Sequence, residues 1–212
     1  MKNILCYGDS NTWGCVPITC APVTMERYEW NIRWPGVLQG ILGNEYHVTE
    51  NALNGRTTVF EDPIEEGRCG KAGFSVVLEA AAPLDLVIIM LGTNDCKDRF
   101  NKRASDIALG MDLLVQYVKR GSYGNPQILI ASPIHLGSGW DPSWSGLVFS
   151  DRSTQISKEL APLYEWVAKN HGCHYMDAAP YAQAVGDSIH TSPEGHESLG
   201  KAFAQKVLEI LK

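Results

Sequence analysis

The sequence predicts an α/β fold, a three-layer α/β/α sandwich around a five-stranded, mainly parallel sheet. Three observations carry that expectation. Short apolar runs alternate about five times with segments of helical period, the pattern of successive βαβ units. The run Leu86–Leu91 is apolar throughout, so both of its faces must be covered, as they are in a parallel sheet. The chain has 212 residues, 44% of them apolar, and no linker, internal repeat or low-complexity tract. That suits a single domain spanning residues 1–212.

The elements follow in order. Ile4–Tyr7 is a short apolar strand that ends at a turn, Gly8-Asp9-Ser10. Residues 34–43 read as a helix with Pro35 in its first turn and Gly43 closing it. Tyr46–Thr49 is a second strand and Leu86–Leu91 a third. Residues 105–120 place Ile107, Met111, Leu114, Val115 and Val118 on one helical stripe, with Ser105 as the expected cap. Gln127–Ala131 is a fourth strand, 151–170 a helix begun by Asp151 or Ser153, and Cys173–Met176 a fifth strand. Pro193 opens a final helix with Leu199, Phe203, Val207 and Ile210 on its inner face. The segments 11–33 and 133–150 are long loops, and loops of that length in a compact domain are more often functional than idle.

Composition excludes several classes. The net charge is −6, with no basic stripe to neutralise phosphates, which argues against a nucleic-acid partner. No apolar run is long enough to span a membrane. Strand-like residues begin at Lys2, which leaves no room for a signal peptide, so a cytoplasmic location is expected. The cysteines at 6, 15, 20, 69, 96 and 173 include no Cys-x-x-Cys and are expected as free thiols. No Cys/His cluster has zinc-ligand spacing, there is no Walker loop or dinucleotide glycine fingerprint, and no metal or organic cofactor is expected.

Ligands of open parallel sheets bind beyond the carboxyl ends of the strands. Four polar clusters fall there: Gly8-Asp9-Ser10, Asn51 to Gly55, Gly92 to Asp95, and the pair Asp187 and His190. A serine hydroxyl needs a base before it can attack. His190 can take its proton, and Asp187, three positions earlier, can fix the imidazole tautomer and stabilise its charged form. Attack on an ester carbonyl creates an oxyanion that needs preorganised donors. The backbone N–H groups of Ser10 and Gly55 and the side-chain amide of Asn94 are the candidates.

These four blocks, in this order, resemble the SGNH (GDSL-type) hydrolase superfamily. Its signature serine, glycine, asparagine and histidine match Ser10, Gly55, Asn94 and His190, and its acid matches Asp187. The strings Gly8–Gly14 and Arg33–Leu38 resemble the arylesterase/acyltransferase branch. The resemblance implies the flavodoxin-like fold of that superfamily and hydrolysis of short-chain, acetyl-type esters through an acyl-enzyme. It also implies acyl transfer to alcohols, perhydrolysis, and a homo-oligomer. Two positions depart from the pattern: Asn11 stands where leucine is expected after the serine, and Ser188 where glycine is commoner before the histidine. Asn11 and Trp13, which follow the serine closely, are the expected substrate contacts.

Each residue also has a plain reading. Ser10 could cap a helix, Asn94 and Asp95 could close a turn, and Asp9 is expected to tie the first turn by hydrogen bonds. His47, His135, His171, His174 and His196 read as surface or turn residues. The string His196–Gly200 fails as a Gly-x-Ser-x-Gly elbow at its first position, which argues against an α/β-hydrolase. Trp13, Trp30 and Trp34 flank one long loop, and Trp140, Trp144 and Phe149 populate the other. Such rings can wall an acyl or alcohol site, bury a subunit contact, or stack on sugar. The leading expectation is a serine esterase whose partners are a small ester and water or an alcohol. The alternatives are a carbohydrate O-acetylesterase and a non-catalytic, flavodoxin-like small-ligand binder.

Overall fold

The fold is seen in a computed structural model that describes residues 1–18, 25–142 and 144–212. Five parallel strands form the sheet: β1 (Lys2–Gly8), β2 (Tyr46–Ala52), β3 (Leu86–Met90), β4 (Gln127–Ser132) and β5 (His174–Asp177). Their order is β2-β1-β3-β4-β5. The helices are α1 (Ser10–Trp13), α2 (Trp34–Leu42), α3 (Gly70–Ala81), α4 (Ala104–Arg120), α5 (Asp151–His171) and α6 (Pro193–Ile210).

Alternation along the strands builds the three layers. Leu5, Tyr7, Val87, Ile89, Ile128 and Ile130 face α3, α4 and α5. Their neighbours Ile4, Cys6, Leu86, Ile88, Met90 and Leu129 face α2 and α6. Every residue of β3 is buried, which is why its sequence shows no polar alternation. Trp34, at the start of α2, is fully buried and stacks on Phe203 of α6, ring centroids 4.3 Å apart. It is a core residue and not part of a loop wall.

Local caps differ from some expectations. At α4 the cap is Arg103, whose N–H is held by the Asp106 carboxylate at 3.0 Å, and Ser105 lies within the first turn. Ser150 caps α5, with its N–H on Ser153 Oγ. The helix α3 was not expected: glycines at 70 and 73 weaken its helical signal. The buried pair Phe74 and Leu78, four apart, and Pro83 just beyond the end are the signals that mark it. Cys6, Cys15, Cys69, Cys96 and Cys173 are free thiols, while Cys20 lies outside the described residues.

Register positions the site. Gly8 pairs with Ala52 on one side and Met90 on the other, so the turns after β1, β2 and β3 open side by side at one sheet edge. The chain leaves β1 toward β2, then crosses back to β3 on the far side of β1. The crevice between β1 and β3 is therefore the topological switch point, the usual ligand position of open α/β sheets.

Candidate active site

Ser10 is the first residue of α1, and its local backbone is tightly specified. Asp9 is the N-cap, accepting the Asn11 N–H at 3.0 Å, and Gly14 ends the turn in the left-handed region at φ +83°. Asp9 therefore has the tying role expected of it. Burial pushes its carboxyl up to about 6, opposed by the Asn11 N–H. A Cβ at Gly8 would stand 2.0 Å from Thr12 Oγ1, so only glycine lets the strand turn this closely into the helix.

His190 lies in the segment before α6. Its Nε2 is 2.9 Å from Ser10 Oγ, and its Nδ1 is 2.5 Å from Asp187 Oδ2. Asp187 Oδ1 accepts the N–H groups of Ile189 and His190 at 2.9 and 2.8 Å, while Oδ2 also accepts from Ile18 at 2.9 Å. Serine, histidine and aspartate are all buried. Burial opposes a charge on His190, but the Asp187 carboxylate outweighs it and raises the imidazole to about 9. For Asp187 burial pulls upward, and the hydrogen bonds and charge of His190 outweigh it, leaving the carboxyl below its ordinary value. Ser188 adopts φ +65°, the position where glycine is easier, and its Oγ donates to the Ser138 carbonyl at 2.8 Å.

Gly55 and Asn94 arrive at the same edge. Gly55 sits in a turn at φ +78°. Asn94 is buried, and its Nδ2 donates to the Arg56 carbonyl at 3.1 Å. Its neighbour Asp95 faces inward, accepting the Thr58 N–H at 3.0 Å and the Thr58 hydroxyl at 2.5 Å. Among the described residues, no hydrogen bond uses the N–H of Ser10 or of Gly55. Ser10, Gly55, Asn94 and His190 all line one cavity of about 240 Å³. Met25, Trp144, Val148, Phe149 and Ile189 contribute apolar lining, and Asn54, Glu65 and Lys97 polar lining. Larger cavities of about 380 and 310 Å³ lie beside β2 and α3 and beside β5 and α6, away from this cluster.

Asn11 and Trp13 are placed elsewhere. The Asn11 side chain is buried, donating to the Ile189 carbonyl at 3.1 Å and accepting the Thr191 N–H at 3.3 Å. Its amide is engaged by backbone on both sides of His190 and does not line the cavity. Trp13 is also absent from the lining. Arg27 lies over its ring at 4.7 Å and donates to its carbonyl at 2.8 Å. Sequence reasoning missed the Asn11 contacts because they are made to backbone. Trp144 and Phe149, from the second long loop, do reach the cavity.

His196 corrects a further expectation. It is fully buried, and its Nδ1 accepts the Trp34 N–H at 3.4 Å. Burial, with the nearby charge of His190, lowers it to about 4, so it stays neutral. The signal was available, since positions 196, 199, 203 and 207 share one helical stripe. Among the described residues, no group of three or more His, Cys, Asp or Glu could hold a metal ion, and no helix is long and apolar enough to cross a membrane.

Known proteins share this geometry of fold. The structure of the native M. smegmatis aryl esterase superposes with TM-score 0.93 at 37% identity, covering 99% of this chain and 100% of that one. A carbohydrate acetylesterase from Sinorhizobium meliloti superposes with TM-score 0.94 at 35% identity, with the same coverage. An acetylxylan esterase of Xylanibacter ruminicola is 25% identical over an alignment 201 positions long that covers 82% of this chain. The chain spans 38% of the length of that curated relative. Residues 6–197 match the GDSL-like Lipase/Acylhydrolase family. With that match running from β1 into α6, the chain belongs to this family of ester hydrolases.

Proposed function

We infer that the protein is a serine esterase acting on small carboxylic esters through an acyl-enzyme. The observation that carries the reading is the continuous hydrogen-bonded relay from Ser10 through His190 to Asp187, 2.9 and 2.5 Å long, opening on a cavity. Ser10 Oγ attacks the ester carbonyl as His190 takes its proton, and Asp187 stabilises the imidazolium. The N–H groups of Ser10 and Gly55 and the Asn94 amide hold the oxyanion. Collapse expels the alcohol, which receives the proton from His190. Water, deprotonated by the same histidine, then releases the acid. An alcohol in place of that water gives acyl transfer, and hydrogen peroxide gives a peracid.

The cavity volume, about 240 Å³, is below the usual ~300–1,000 Å³ of small-molecule sites. That favours acetyl-type acyl groups. Replacing Ser10 by alanine should abolish hydrolysis of p-nitrophenyl acetate with the fold intact. Undiminished turnover in that variant sinks the assignment. It would leave the non-catalytic binder, which also predicts no labelling of Ser10 by a fluorophosphonate probe.

A carbohydrate O-acetylesterase is the second reading. The presence of Trp144 in the same cavity lining as Glu65, Lys97 and Asn54 supports it, because sugars combine an apolar ring face with hydroxyls. A higher kcat/KM on acetylated xylan than on aryl acetates is its expected signature. The whole chain, 1–212, acts as one domain in either case. Free thiols at the described cysteines suit a reducing cytoplasm, and the half-exposed rings of Trp30 and Trp166 suit self-association. A light-scattering mass tests the latter.

A further inference from the structure

The geometry points to Arg56 as the residue that positions the oxyanion donors. It is buried and stands directly after Gly55. Its Nη1 donates to the Gly8 carbonyl at 2.9 Å and to the Asn51 carbonyl at 2.7 Å, and its Nη2 donates to Asn51 Oδ1 at 3.0 Å. The guanidinium carbon lies 4.1 Å from the centroid of the Tyr7 ring. One planar group thus bridges the ends of β1 and β2, two residues before Ser10 and four before Gly55.

The backbone of the same residue completes the arrangement. Its carbonyl accepts Asn94 Nδ2 at 3.1 Å, and its N–H closes the Gly55 turn on the Leu53 carbonyl at 3.1 Å. Leu53 N–H in turn donates to Gly8 O at 3.2 Å. A side-chain amide carries two N–H donors. With one spent on Arg56 O, the amide plane is fixed and the second donor is left for the cavity that Asn94 lines. All three candidate donors are therefore referred to one residue. Ser10 is reached through Gly8, Gly55 by direct peptide linkage, and Asn94 through the carbonyl.

Lysine cannot substitute. It brings the charge on a point donor, whereas three acceptors on two strands and a ring face call for a planar fork. The inference rests on the oxyanion reading of Gly55 and Asn94 given above, and the two are separable by experiment. Arg56→Lys, Asn94→Ala and the double variant are assayed for kcat and KM on p-nitrophenyl acetate, with pH profiles. Asn94→Ala should lower kcat by about 100-fold; no loss there defeats the oxyanion reading itself. Given that loss, Arg56→Lys should lower kcat by about 10- to 100-fold with KM within about twofold, the acid limb of the pH profile unmoved, and a smaller further loss in the Asn94→Ala background than in the wild type. An unchanged kcat in Arg56→Lys, or the same loss in both backgrounds, overturns the inference. If Arg56→Lys does not fold, Asn51→Ala removes one acceptor of the fork from outside the catalytic cavity. A kcat reduced severalfold at constant KM is then expected, and wild-type kcat overturns the inference.

Discussion

Asn11 and Ile189 are separated by nearly the whole chain, yet Asn11 Nδ2 donates to the Ile189 carbonyl at 3.1 Å while Asn11 Oδ1 accepts from Thr191 at 3.3 Å. The residue beside Ser10 therefore grips the backbone on both sides of His190. The Ser10–His190 distance is set by this clamp as well as by its own hydrogen bond. Asn11→Leu puts back the residue expected after the serine and removes both contacts. It leaves two buried backbone groups unpaired, at about 1–3 kcal/mol each. Urea unfolding should show a loss of about that size, and kcat on p-nitrophenyl acetate should fall by about tenfold, since a loosened base loses alignment. Wild-type stability with wild-type kcat would show the clamp to be idle.

Basicity gives a second expectation. On the proposed mechanism His190 must be neutral to accept the serine proton, and its pKa is raised to about 9 because Asp187, with a further contribution from Cys15, outweighs burial. Activity is therefore lost as pH falls through a limb above the ordinary histidine value of about 6.5. In Asp187→Asn the largest raising influence on His190 is lost while burial still opposes its charge, so the limb should move down in pH and kcat should drop by about 10³–10⁴-fold. The kcat/KM profile from pH 5 to 10 reads both. A wild-type limb at or below 6.5 contradicts the raised basicity.

Gly55 is tested by adding one methyl group. A Cβ at φ +78° is strained and would stand 2.8 Å from Glu65 Oε2. Glu65 cannot swing aside freely, because Lys97 holds it at 2.8 Å and Arg99 at 3.1 Å. Gly55→Ala should cost about 1–2 kcal/mol and lower kcat by about 10- to 100-fold, because the turn moves an oxyanion donor. Adding Glu65→Ala should restore part of the rate. No change in kcat from Gly55→Ala alone would remove this turn from the catalytic account.

Asp95 predicts a pH effect on folding. Burial raises its carboxyl to about 6, opposed by the Thr58 hydrogen bonds, while the unfolded chain titrates near 3.9. Between about pH 4 and 6 the folded state keeps a proton that the unfolded state has lost. Stability from this group therefore falls as pH rises through that window. Asparagine does not titrate. The stability of Asp95→Asn relative to wild type should rise by about 3 kcal/mol between pH 4 and pH 7, two pKa units at about 1.4 kcal/mol each. Urea midpoints across that range measure it, and a flat difference refutes it.

The parts of the molecule that could be read from the sequence are those where chemistry and periodicity coincide. Ser10, Gly55 and Asn94 follow predicted strands, and a parallel sheet aligns strand ends, so their convergence follows from topology, while His190 is brought to them by the segment between β5 and α6. Arg56 and Asn11 were not legible as scaffolding because they act on carbonyls and amides, which every residue carries. Nothing in a sequence marks which backbone group a side chain will meet. His196 was misread by residue type, a polar side chain on an apolar stripe. The helix α3 was hidden by its glycines, although Phe74 and Leu78 on it are fully buried.

Ser10 Oγ and His190 Nε2 meet across nearly the full length of the chain. During synthesis the serine is made 180 residues ahead of the histidine. A nascent or clipped chain ending before residue 187 holds Ser10 without the proposed base, His190, and the proposed acid, Asp187. On the proposed mechanism the serine therefore gains its base only once the segment carrying Asp187 and His190 has been made and has reached the end of β1.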